Sequence, residues 1–251
     1  MNHNLLILGG TTEASQLARA VADQGIAATL SYAGRVERPR PQPVDQRVGG
    51  FGGIAGLIAY IKAEQISHVI DATHPFAEQM SRNAVAACDA TGIPLIALTR
   101  PPWQATKADQ WRNVADMSAA VASLSGTPQR VMLAVGRLHL ERFADQPQHH
   151  YILRLVDPPA TPPPMPHHSV IISRGPFDVA SDTELMRAHD VELIVSKNAG
   201  GTGAIAKLHA ARALRIPVIM IARPALPSRR EAYSIDEVFS WLGHDGTDLG
   251  V

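Results

Sequence analysis

Ile93-Pro94-Leu95-Ile96-Ala97-Leu98-Thr99-Arg100-Pro101 and Ile216-Pro217-Val218-Ile219-Met220-Ile221-Ala222-Arg223-Pro224 follow one pattern: Ile-Pro, a short apolar strand, then Arg-Pro. Each copy comes after an alanine-rich helical stretch, and each of those follows a buried strand, at 68–70 and 192–195. The strand-helix-strand unit therefore occurs twice, which predicts two similar α/β domains rather than one large sheet. Coincidence is the competing explanation, because Ile-Pro before an apolar strand is common wherever a helix hands over to a parallel strand. The boundary is expected within 101–110, giving domains over 1–103 and 104–251.

The totals agree with this class. At 251 residues the chain can build one large or two small cores. Its 23 Lys+Arg balance 23 Asp+Glu, so the totals give no support to a nucleic-acid surface or a polybasic membrane anchor, although a local basic cleft could hide in them. One cysteine, Cys88, excludes an internal disulfide and any multi-cysteine metal centre, and suits a reducing cytoplasm. Residues 5–8 are too short for a signal-peptide core, and no apolar run approaches the ~20 residues of a membrane helix.

Short Val/Ile/Leu runs alternate with helical patterns, as in a parallel sheet covered on both faces. Strands are expected at 5–8, 27–31, 68–70 and 95–98, with helices at 12–24, 54–64 and 76–91. The second half gives strands near 131–135, 151–155, 170–172, 192–196 and 218–221, with helices at 178–189, 204–214 and 235–242. Two long loops are candidates for movement: 34–47, charged and proline-bearing, and 157–168, which carries six prolines.

Three glycine loops lie between a strand and a helix, where backbone N–H groups and the helix dipole favour anions. Gly9-Gly10-Thr11-Thr12-Glu13 lacks the G-x-G-x-x-G spacing, and two readings stay open: a pyrophosphate cradle, or a tight turn capped by Thr11 or Thr12. Gly49-Gly50-Phe51-Gly52-Gly53 has more glycine than a turn requires, which close approach to a ligand would explain. Lys197-Asn198-Ala199-Gly200-Gly201-Thr202-Gly203 meets a G-x-G-x-x-A variant through Gly201, Gly203 and Ala206, and adds the fixed charge of Lys197. Arg35 follows the second strand, where a 2′-phosphate could be met, or is a solvated loop arginine. Arg100, Arg137, Arg154, Arg174, Lys197 and Arg223 recur at strand ends and point to a polyanionic ligand between the domains. His74, held extended by Pro75, either works on a ligand near neutral pH or caps the turn. The pairs His149-His150 and His167-His168 are read as loop residues without metal-ligand spacing.

These blocks, with Ala33-Gly34-Arg35, Asp71-Ala72-Thr73-His74-Pro75-Phe76-Ala77, Arg100-Pro101-Pro102-Trp103 and Arg174-Gly175-Pro176-Phe177, together resemble the precorrin-6A reductase family of cobalamin biosynthesis, in family order over nearly the whole chain. The resemblance implies an oxidoreductase that uses NADPH to reduce a double bond of the precorrin-6A macrocycle, giving precorrin-6B. It also implies two Rossmann-like domains, coenzyme on the first and tetrapyrrole on the second, whose sheets exchange their last strands. Carried over by residue, Gly9, Gly10, Thr11 and Thr12 would meet the pyrophosphate and Ser31 or Arg35 the adenosine end. Gly52, Gly53, Thr73 and His74 would meet the ribose and nicotinamide, with His74 the catalytic candidate. Arg100, Arg137, Arg154 and Lys197, with the loop residues Gly201, Thr202 and Gly203, would bind a substrate rich in carboxylates; no site role passes to Arg174. Neither a resident metal nor a nucleic-acid or membrane partner is implied, and transient contact with neighbouring pathway enzymes is.

Two rivals come from other classes. A short-chain dehydrogenase would need Tyr-x-x-x-Lys, and the residues four after Tyr32, Tyr60, Tyr151 and Tyr233 are Val36, Glu64, Leu155 and Glu237. A two-domain binding protein for an anion would use the same loops without hydride chemistry.

Overall fold

The computed structural model describes residues 3–33, 41–159, 161–173, 175 and 177–244. The chain forms two compact units, Met1–Pro101 with Ala225–Val251, and Pro102–Pro224. Each is built on a six-stranded sheet whose strand pairs are parallel.

In the first unit β1 (Asn4–Leu8), α1 (Thr12–Asp23), β2 (Ala27–Tyr32), β3 (Asp45–Val48), α2 (Gly53–Ala63), β4 (His68–Asp71), α3 (Glu78–Thr91) and β5 (Leu95–Leu98) succeed one another. In the second come β6 (Trp111–Val114), α4 (Met117–Ala122), β7 (Arg130–Ala134), a 3₁₀ segment (Arg137–Asp145), β8 (His150–Leu155), β9 (His168–Ile172), α5 (Val179–Ala188), β10 (Leu193–Lys197), α6 (Ala206–Leu214) and β11 (Val218–Ile221). The chain then returns to the first unit with β12 (Arg230–Ala232) and α7 (Ile235–His244).

The sheet orders are β12-β5-β4-β1-β2-β3 and β6-β11-β10-β7-β8-β9. Written from the far edge, each is the doubly wound order 3-2-1-4-5-6, with the sixth place filled by a strand from elsewhere in the chain. β6 leaves the first unit to pair with β11, and β12 returns to pair with β5. The last strands are thus exchanged. The two Ile-Pro repeats supply β5 and β11, the fifth strand of each sheet, and the chain leaves each unit directly after the Arg-Pro that ends the repeat.

The break at Pro101 lies close to the expected 103/104 boundary, but 104–251 is not one unit, because its tail belongs to the first core. Val238, Trp241 and Leu242 of α7 pack with Leu17 and Val21 of α1 over Ile7, Leu30 and Ile96 of the sheet. On the other face Leu57 and Ile61 of α2 and Ala84, Ala87 and Cys88 of α3 cover Leu6, Leu8 and Val69. The strands β1 and β4 are buried on both faces, hence the consecutive apolar residues 5–8 of one and Val69-Ile70 of the other.

Three strands escape the sequence reading. β3 falls at the end of the expected 34–47 loop; as an edge strand it leaves Asp45, Gln46 and Val48 exposed, so apolar alternation is missing. β6 and β12 are likewise edge strands with charged or polar faces. The histidine pairs divide: His149 and His167 lie in loops as expected, His149 buried there with Nδ1 accepting from Gln129 N–H and Nε2 2.7 Å from Leu124 O, whereas His150 and His168 open strands β8 and β9. Residues 34–40 and 174, including Arg35 and Arg174, lie outside the described residues.

Candidate functional site

A pocket opens at the carboxyl ends of β1, β2, β3 and β4, beside the β1/β4 junction where the strand order reverses. Such switch points are where doubly wound sheets take ligands. Its wall includes Leu8, Gly9 and Gly10 after β1, Ser31, Tyr32 and Ala33 of the β2 end, and Gly49, Gly50 and Phe51 after β3. Thr73, His74, Ala77 and Met80 close it from β4 and α3. The cavity holds about 170 Å³, less than the roughly 300–1,000 Å³ that swallows a drug-sized ligand. An elongated ligand would lie along it with one part inserted.

Each wall follows from local sequence. Gly10 has φ +113°, and a Cβ there would meet no protein atom within 4 Å, so it would project into the open cradle. A Cβ on Gly9 would come within 2.5 Å of Leu30 Cδ1, so the turn must lie flat on β2. Thr11 is the N-cap of α1: its Oγ1 accepts from Ala14 N–H at 3.1 Å and donates to Ala72 O at 2.8 Å. The capped-turn reading of this loop therefore holds, and its two glycines line a cavity. Thr12 is the exposed first residue of α1. Glu13, in the same helical turn, is met by Arg100 at 2.8 Å, which offsets a negative charge that would oppose an anion there.

After β4, the buried Asp71 organises the loop. Its Oδ1 accepts from Thr73 N–H at 3.1 Å and Thr73 Oγ1 at 2.6 Å; its Oδ2 accepts from Ser81 Oγ at 2.6 Å and from Arg229 Nη1. His74 accepts at Nδ1 from Phe76 N–H at 3.2 Å, so in the neutral ring the proton sits on Nε2. A hydrogen-bond donor with a fixed tautomer thus lines the cavity.

Of the coenzyme-side candidates, the fold brings Gly9, Gly10, Ser31, Thr73 and His74 into one pocket. Gly52 and Gly53 start α2, both exposed and both at positive φ, beyond the residues that line it. Two arginines passed over in the sequence bear on it. Arg47 donates to Ser31 Oγ at 3.2 Å, Gly49 O at 2.6 Å and Gly50 O at 2.8 Å, and lies over Phe51. Arg229 reaches Asp71. Arg47 was hidden in a stretch read as loop, Arg229 in a stretch given no element.

The substrate-side candidates divide. Arg100 is in the first unit, on Glu13. In the second, Lys197 ends β10 and Arg137 follows β7; these strands are neighbours at that sheet's own reversal of order. Arg154, on the next strand β8, pairs with buried Asp182 and stacks on Phe177, 3.9 Å from the ring centre. The loop holding Gly201, Thr202 and Gly203 is fixed at its base. Trp103 Nε1 donates to Gly201 O at 2.7 Å, Asn198 exchanges two hydrogen bonds with the Trp103 backbone, and Arg223 donates to Asn198 O and Ala199 O. Thr202 and Gly203 are exposed at its tip. Behind it Lys207 is 4% exposed, its Nζ donating to Ala204 O at 2.6 Å and lying 4.8 Å from the Trp103 ring centre.

Among the described residues no group of three or more His, Cys, Asp or Glu could hold a metal ion, and no helix is long and apolar enough to cross a membrane.

The sequence profile of the family described as "Precorrin-6x reductase CbiJ/CobK" matches residues 4–243. The chain is 56% identical over 248 residues to the precorrin-6A reductase of Rhodobacter capsulatus, covering 98% of this chain and 99% of that protein. It is 23% identical over 255 residues to the cobalt-precorrin-6A reductase of Methanocaldococcus jannaschii, covering 96% and 98%. A solved structure of "CobK precorrin-6A reductase" superposes with a TM-score of 0.93 at 55% identity, covering 97% of this chain and 98% of that one.

Proposed function

The chain belongs to the precorrin-6x reductase family, and from that premise we propose that it reduces a macrocycle double bond of precorrin-6A to give precorrin-6B, with NADPH bound by the first unit. The observation that carries the coenzyme assignment is the convergence of Gly9, Gly10, Ser31, Thr73 and His74 on one cavity at the switch point of the first sheet. NADPH supplies a hydride when bound. Gly9, Gly10 and the first N–H groups of α1 would hold its pyrophosphate, where the helix dipole favours negative charge. Ser31 would meet the adenosine end, with Arg47 beside it as the nearest described cation to that hydroxyl. Thr73 would hold the ribose and nicotinamide side, the apolar rings and chains of Tyr32, Phe51 and Met80 keeping water from it.

Saturating a carbon–carbon double bond also requires a proton at the neighbouring carbon. His74, at the cavity wall, is the candidate donor: as the imidazolium it would give its Nε2 proton to that carbon and return to a neutral ring. The second unit would bind the tetrapyrrole, Arg137 and Lys197 offering charges for its carboxylates at neighbouring strand ends.

The test is NADPH absorbance followed with purified precorrin-6A: oxidation that depends on the substrate supports the reading, and its absence removes it. Gly10→Asp, which places a carboxylate in the cradle, is expected to abolish NADPH binding while tetrapyrrole binding remains, and Lys197→Ala to do the reverse. Loss of NADPH affinity in Lys197→Ala would move the coenzyme to the second unit.

A further inference from the structure

Asp71 is 2% exposed, and a carboxylate so deeply placed needs a countercharge. Among the described residues its ion-pair partner is Arg229, whose side chain is 9% exposed and which directly precedes the exchanged strand β12. The same carboxylate accepts from the Thr73 backbone, the Thr73 hydroxyl and Ser81 of α3. One group therefore joins the returning tail, the helix α3 and the loop that presents Thr73 and His74. The tail is held to α3 a second time, by Arg82 donating to Ala225 O.

From this geometry we infer that Arg229 is a positioning residue for the 72–77 loop: it balances Asp71, and so the exchanged segment sets the shape of the coenzyme pocket. Arg229 is not among the residues that line that pocket. Its other charged neighbour is Glu231 at 3.8 Å. Removing it would leave Asp71 buried and unbalanced, and the least costly relief is for the carboxylate to turn toward water, releasing the Thr73 N–H and hydroxyl. The loop would then lose the bonds that fix it. The consequence for NADPH rests on the coenzyme assignment above; the consequence for the loop does not.

The experiment compares wild type, Arg229→Met, Arg229→Lys and the double variant Asp71→Asn with Arg229→Met. It measures hydrogen exchange at residues 72–77 without ligand and NADPH affinity by fluorescence. Arg229→Met should speed exchange in the loop and weaken NADPH roughly tenfold, the scale expected of a residue that acts through a neighbour. The double variant should recover most of both, since an asparagine can still accept from Thr73 and donate to Ser81 without a charge to balance. Arg229→Lys should fall between. Should Arg229→Met not fold, the lysine and double variants carry the same comparison. Wild-type loop exchange in Arg229→Met, with only the melting temperature lowered, would overturn the inference. NADPH binding that survives Gly10→Asp would instead sink the coenzyme assignment and leave the exchange result standing.

Discussion

Arg47 lies across Phe51, its guanidinium carbon 3.7 Å from the ring centre, and from there it holds two successive carbonyls, Gly49 O and Gly50 O, and the Ser31 hydroxyl. A planar fork suits this arrangement and a point charge does not. Arg47→Lys is therefore expected to behave nearly as badly as Arg47→Ala, both weakening NADPH about tenfold or more while leaving the melting temperature within a few degrees. Titration of each variant with NADPH and with NADH checks this. A lysine variant of wild-type affinity would contradict the geometric argument.

Lys207 gives a stability prediction with a definite sign. Burial first, and the charge of Arg154 second, push its ammonium down from 10.5 to about 8, with Asp182 acting in the opposite direction. Between those two values the unfolded chain keeps a proton that the folded chain has released, so stability rises with pH through that window and falls back as pH drops through about 8. Lys207→Met should remove this rise and be neutral to stabilising, by up to about 1–3 kcal/mol, at neutral pH. Urea unfolding at neutral pH and near pH 10 decides it; equal pH slopes in both proteins would be incompatible with a desolvated lysine.

For Arg154 the ion pair with Asp182 predicts a cost in folding. The second oxygen of that buried carboxylate has no hydrogen-bond partner among the described residues, so it depends on nearby positive charge, that of the contacting arginine first and of Lys207 beside it. Arg154→Ala should lower stability by about 3–5 kcal/mol. Unchanged stability with weaker tetrapyrrole binding would show an arginine serving the substrate alone.

Cys88 should be inert in the folded protein. Burial, then the charges of Asp89 and Asp71, raise its thiol to about 12, leaving roughly one thiolate in ten thousand near pH 8. A disulfide reagent should label it only at the rate of unfolding, and fast labelling of the native protein would show an open path to α3.

Much of the fold was legible because central parallel strands are spelled in apolar residues on both faces: 5–8 and 218–221 could be read directly, and Val69-Ile70 after His68 marked a third. The Ile93 and Ile216 repeats exposed the two related units, since each copy encodes the fifth strand of a sheet. The edge strands were not legible. Arg230–Ala232 carries charges and pairs on one side only, and nothing in three residues says which sheet it joins. The site followed the same division. Glycines between a strand and a helix announce an open turn, so Gly9 and Gly10, which line the cavity, were legible. Arg47 and Arg229 matter through partners far away in sequence, Ser31 and Asp71, and that pairing exists only once the sheet is assembled.

The exchange of last strands has a consequence for how the protein is made. During synthesis the outer edge of β5 has no partner until Arg230–Ala232 has left the ribosome. At ~5–20 residues per second that interval is on the order of ten seconds, during which the nascent chain presents a row of open backbone donors and acceptors able to pair with another copy. The first sheet to begin is finished only after the second, so slow codons over 225–244 should lower this protein's yield far more than its stability once complete.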